Sequence, residues 1–208
     1  MVTPVRLVFV VVILPDLHAD ELRFHFKSGR LCLDFVATVG ERRRRSFERL
    51  RSPEDLGRWL ADARLLESSP EVTHAQLEGA RGLREAIYRT AKLAGEEAPD
   101  PQDVEEMNRF GARSPLAPRL APDAKSLTWN GDDPVEASLA TIARDAIDLV
   151  SGPLASRVRE CAAPDCALLF VDASRPGRRK WCSMEACGNV AKTGAYRRRK
   201  SANSRKEP

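Results

Sequence analysis

The chain has 208 residues, 42% of them hydrophobic and 31% charged, with a formal net charge of +4. That bounds it to one domain or two modest ones and excludes a wholly disordered chain. The charge is unevenly spread: residues 155–208 hold thirteen Lys or Arg against five acids, and residues 1–154 hold twenty-one against twenty-five. A basic end on an acidic body points to nucleic acid or another polyanion, the bland alternative being a solvated tail.

Residues 7–14 form an apolar run eight residues long. A membrane-spanning helix needs about 20 residues, so no membrane span is expected. The run reads as a buried strand, as a signal segment with a poor cleavage site at Leu17, His18 and Ala19, or as an extension upstream of a fold that begins at Phe24. Phe24, His25 and Phe26 alternate apolar and polar, which predicts a short strand, and Ser28 and Gly29 predict a turn. Leu31, Phe35, Val36 and Val39 share one face of a short buried helix. Cys32 reads there as a small core residue, and Asp34 as a first-turn charge that favours the helix N-terminus. Arg42, Arg43, Arg44 and Arg45 read as a solvated loop, with phosphate contact as the sharper alternative.

Ser52 and Pro53 open a helix with Glu54 and Asp55 in its first turn and Leu56, Trp59, Leu60 and Ala63 as its buried face. Thr73 caps the next helix, which runs to about Ala94 with a stripe at Leu77, Ala80, Leu83, Ile87 and Ala91. Pro101 opens a short helix containing Val104, Met107 and Phe110. Residues 114–131, rich in proline, predict extended pieces or a hairpin ending at Asn130 and Gly131. Asp133 and Pro134 start the strongest helix, with Val135, Leu139, Ile142, Ala146, Leu149 and Val150 on its stripe and a stop at Ser151, Gly152 and Pro153. The organisation read from the chain is an extension at 1–23, a helical domain at 24–152, a cysteine module at 153–200 and a tail at 201–208.

Four of the five cysteines form two pairs of equal spacing: Cys161 with Cys166 and, after fifteen residues, Cys182 with Cys187. Clustered pairs favour a reduced compartment and a metal over a secreted disulfide framework. Zinc takes soft ligands tetrahedrally, and two from each of two tight turns meet that need. No histidine follows residue 74, so all four ligands would be cysteines. A closed four-thiolate site makes the one zinc ion structural, not catalytic. Pro164 and Asp165 supply the first knuckle, residues 167–172 a strand, residues 174–177 a turn, and residues 179–182 the returning strand. Ser183 caps a helix that delivers Cys187. Knuckle, hairpin and helix make a treble-clef-like finger. The fold class is thus mainly α with small β elements, a helical N-terminal domain followed by this finger. Arg175, Arg178, Arg179 and Lys180 fall at the hairpin tip and return, and Lys192, Arg197, Arg198, Arg199 and Lys200 on or after the helix. These are the expected nucleic-acid contacts, with salt-dependent affinity. Trp181 either packs beside the zinc or stacks on a base.

At Trp181, Cys182, Cys187, Gly188 and Asn189 the chain resembles the CGNR zinc-finger family of bacterial proteins. Residues 24–26 and 29–38 look like the start of the ABATE domain that precedes this finger. The resemblance implies a zinc-binding, DNA-binding transcription regulator, stress-induced, with a mainly helical ligand-sensing or regulatory domain in front. Cys161, Cys166, Cys182 and Cys187 match the family ligands. Val190 stands where the signature has arginine, and Ala37 where the family has asparagine. Thr193 and Gly194 interrupt a helix that is usually more basic.

The expected partners are therefore DNA at the finger and a small-molecule ligand at the helical domain, in the cytoplasm. RNA binding and protein contact are the alternatives. No enzyme is expected: His18, His25 and His74 are scattered, and no nucleophile and base stand at catalytic spacing. The sequence sets no oligomeric state.

Overall fold

A computed structural model describes residues 17–93, 97–190 and 192–193. The apolar run at 7–14 and the cations Arg197, Arg198, Arg199 and Lys200 lie outside the described residues. Five helices carry the fold: α1 (Leu31–Val36), α2 (Pro53–Asp62), α3 (His74–Leu93), α4 (Pro101–Gly111) and α5 (Pro134–Ser151). Three two-stranded antiparallel ribbons accompany them: β1 (Val39–Gly40) with β2 (Phe47–Glu48), β3 (Ala117–Leu120) with β4 (Leu127–Asn130), and β5 (Val158–Glu160) with β6 (Leu169–Val171). No described helix is long and apolar enough to cross a membrane.

The helix ends follow from side-chain chemistry. Asp55 Oδ2 accepts the Arg51 and Ser52 amides at 2.9 and 3.1 Å ahead of α2. Thr73 Oγ1 accepts the Gln76 amide at 3.2 Å while Gln76 Oε1 accepts the Thr73 amide at 2.9 Å, a reciprocal cap for α3. Asp100 and Asp133 each cap a helix that begins with proline. The stripe of α3 is buried as expected, at Leu77, Ala80, Leu83, Ile87 and Ala91. It meets Leu33, Phe35, Trp59, Met107, Phe110, Leu139, Ile142 and Leu149 in one core.

Three expectations are corrected. Residues 24–26 form no strand, since they pair with none of the three ribbons. Phe26 is instead held by the Trp59 ring at 5.9 Å, and Phe24 lies under the Arg58 guanidinium at 5.0 Å. The arginine run is a loop solvated only in part: each member pairs with an acid, Arg42 is buried, and Arg43 and Arg44 stay exposed. Arg42 and Arg45 answer Glu85 and Glu41, Arg43 reaches Glu160 at 3.0 Å, and Arg44 reaches Asp165 at 3.6 Å. Finally, residues 179–182 do not return as the partner of the strand at 169–171. That strand pairs instead with β5, upstream of the first cysteine. The Asp172 carboxylate accepts the Ser174 and Arg179 amides at 2.9 and 2.8 Å, so a side chain closes the turn that a ladder was expected to close.

The β5–β6 ribbon does not stand apart from the helices. Leu169 and Val171 belong to the helical core, and Val158 packs against it. Gly29, in the left-handed region at φ 83°, turns the chain after Ser28, whose carbonyl accepts the Val171 amide at 2.8 Å.

Candidate metal centre

The first knuckle grows out of the β5–β6 ribbon. The Cys161 amide donates to the Leu168 carbonyl at 2.9 Å and the Cys166 amide to the Ala163 carbonyl at 3.2 Å. Ala167 leaves the turn at φ 52°, a conformation costly for a residue with a Cβ. The second pair is brought up by backbone bonds. The Ala162 amide donates to the Lys180 carbonyl at 2.8 Å, and the Cys182 amide donates to Cys161 Sγ at 3.5 Å. A wide helical turn, Met184–Gly188, then carries Cys187, closed by the Gly188 amide on the Ser183 carbonyl at 2.9 Å.

The ligand atoms of Cys161, Cys166, Cys182 and Cys187 all lie within 4.8 Å of one another. The sulfurs of Cys166 and Cys182 stand 3.7 Å apart, as do those of Cys182 and Cys187. A tetrahedron of sulfurs at about 2.3 Å from zinc has edges of about 3.8 Å, whereas a disulfide needs about 2.05 Å. All five cysteines are free thiols. The donor set and its spacing fit one zinc ion, which these four residues could hold.

The thiols also bias one another. Hydrogen bonds from Cys166 and then Cys182 push Cys161 toward the thiolate. The same contacts with Cys161 push Cys166 up to about 12 and raise Cys182 as well, while burial leads the rise at Cys187. Four sulfurs this close cannot all ionise alone. A divalent cation reverses that balance, because a coordinated thiol is deprotonated outright.

Cys161, Ala163, Phe170 and Cys182 form a small apolar cluster, with Trp181 and Leu168 packed against it. Trp181 therefore takes the packing role of its two expected ones. Arg179 lies over the Phe170 ring at 4.8 Å, and its guanidinium donates to the Trp181 carbonyl at 2.8 Å and to the Cys182 carbonyl. Arg175, Arg178, Lys180 and Lys192 are exposed. None of these four side chains meets an acid among the described residues.

Sequence reasoning missed a buried ionic network in the helical core. Arg84 is 1% exposed and makes a bidentate pair with Glu48 at 2.7 and 2.8 Å. Arg84 also reaches Glu85, which binds Arg42 at 2.8 and 3.0 Å; Arg42 in turn lies over the Tyr88 ring at 4.0 Å. One signal was available: position 84 falls on the apolar stripe of α3.

The fold and centre define a class, a mainly helical domain followed by a four-cysteine zinc finger. Residues 29–153 match the ABATE family, described as "Putative stress-induced transcription regulator", and the chain belongs to it. Residues 157–200 match the CGNR zinc finger. No curated protein matches the chain. Zinc binding and a regulator's role are what these families carry.

Proposed function

We propose that the chain is a cytoplasmic, zinc-built, DNA-binding transcription regulator in which Cys161, Cys166, Cys182 and Cys187 ligate one structural zinc ion. A helical unit at 24–152 would present the finger at 153–200. The observation that carries the DNA reading is the contrast in charge pairing. Eleven of the sixteen arginines of the helical part lie in ion pairs with acids. Arg175, Arg178, Lys180 and Lys192 stand exposed beside the cysteine cluster with no acid against them. Such cations release counterions when they meet phosphate. Arg179 is the exception on this face, since its guanidinium holds the carbonyl of Cys182. Arg197, Arg198, Arg199 and Lys200 extend the same charge along the sequence. The reading assigns the chain no catalytic role.

Duplex DNA titrations of the zinc-loaded chain at several salt concentrations test this. The expected affinity falls steeply with salt. Replacing Arg175, Arg178 and Lys180 by Gln lowers it and flattens the salt slope by up to about 3. An unchanged slope in that variant removes this surface from the reading, and tighter binding to single-stranded RNA than to DNA replaces DNA by RNA. Val190, 72% exposed, stands where the signature carries arginine. The helical unit would then act as the sensor of a small molecule that sets the finger's activity.

A further inference from the structure

A cavity of about 340 Å³ lies where the helical part meets the cysteine knuckles. Val36 and Val39 wall it from one side, and Leu168 and Leu169 from the other, with Cys166 and Cys187 among the lining. Its size falls at the lower end of small-molecule sites, and its walls are mostly apolar with a few polar groups, which is the common pattern of such sites.

Most of the charges on its wall are paired directly. Arg42 is neutralised by the two oxygens of Glu85, Glu41 is held by Arg45, and Asp165 by Arg44. Burial pushes His25 down, toward its neutral form. Arg49 is left. It lines the cavity and is 6% exposed. Its Nε donates to the Glu21 carbonyl at 2.7 Å and its Nη1 to the Ala37 carbonyl at 2.9 Å, and it lies over the Phe47 ring at 4.8 Å. Among the described residues no carboxylate pairs with it, and its Nη2 makes no hydrogen bond. Burial lowers this guanidinium to about 10, so it is still a cation at neutral pH. A buried arginine whose hydrogen bonds go only to carbonyls, with Glu48, Glu41 and Glu21 acting on it without direct contact, carries a charge that an incoming anion would compensate further, and a guanidinium presents its donors in the geometry of a carboxylate.

We propose that this junction cavity binds a small amphipathic carboxylic acid, its carboxylate on Arg49 and its hydrocarbon body between Val36, Val39, Leu168 and Leu169. The proposal rests on the reading of the helical unit as a sensor and gives that sensor a place and a ligand class. A molecule so bound touches both parts of the chain and two of the proposed zinc ligands, so it would tighten the finger against the helices.

The test uses the zinc-loaded full-length protein without nucleic acid, so its failure is distinct from a failure to bind DNA. Octanoate, octanol and octylamine are titrated by calorimetry. Octanoate should bind at least tenfold tighter than octanol, and octylamine more weakly than either. Arg49→Gln should remove most of the octanoate preference while leaving octanol binding in place. Because Arg49 also holds two carbonyls, a second variant avoids the core. Val190, at the exposed rim of the cavity, changed to Glu should weaken octanoate at least fivefold and strengthen octylamine. Equal affinities for octanoate and octanol, octanoate binding unaffected by Val190→Glu, or no binding by any of the three overturns the proposal.

Discussion

At the scale of single residues, the informative positions are charges in places that composition does not favour. Arg42, Arg84, Glu48 and Glu85 form a chain of alternating sign inside the helical part. Each charge is expensive to bury and each is repaid only by its neighbour. Glu85 shows how this appears in solution. Burial by itself would raise its carboxyl, but the guanidiniums of Arg42 and Arg84 hold it down to about 2. A carboxyl depressed in the folded state stabilises the fold above its unfolded value, and that contribution is lost as pH falls through the folded value. A fall from 4.5 to about 2 corresponds to about 3 kcal/mol at neutral pH, lost between roughly pH 5 and pH 2. Glu85→Gln should therefore unfold at lower urea than the parent at pH 7, with the gap closing toward pH 3. A gap that does not change with pH would show that Glu85 carries no such linkage.

At the scale of elements, the helices were the most legible part of the sequence, because capping residues and periodic stripes are local chemistry. Asp133 illustrates the local rule: its Oδ1 accepts the Val135 and Glu136 amides, both at 3.0 Å, at the start of α5. Asp133→Ala should cost about 1 kcal/mol, read from urea midpoints, and amide exchange should speed up in the first turn of α5 before its centre. The strands were less legible. Residues 179–182 have the composition of a returning strand, yet β5 holds the place beside β6. Pairing is decided by which edge arrives, and alternation within one segment says nothing about its partner. The short segment at 24–26 failed for the same reason.

At the scale of the whole molecule, the two matched regions share hydrophobic contacts. Leu169 and Val171 lie on the ribbon that carries the first knuckle, and both are buried in the core built by α1, α3 and α5. Arg43 and Arg44 tie the turn between β1 and β2 to Glu160 and Asp165 on the other side. These exposed pairs contribute little alone, but they fix the register of the contact. Stability of the cysteine centre should therefore be felt in the helices. Stripping zinc from the full chain with a chelator should lower the thermal midpoint and speed amide exchange in α1 and α3 as well as in the cysteine region. Exchange confined to residues after 153 would show two parts that are energetically independent.

The sequence by itself determined the helices, the four thiols and their spacing, because caps, stripes and ligand identity depend on residues close together in the chain. Tertiary structure decided where the charges went. The arginine run at 42–45, which reads as solvent-facing, is bound residue by residue to acids as distant in sequence as Glu160 and Asp165. Arg49 could not be singled out among thirty-four cations until the fold buried it without a carboxylate beside a cavity. Partners for a charge are chosen by proximity after packing, and no local pattern carries that information.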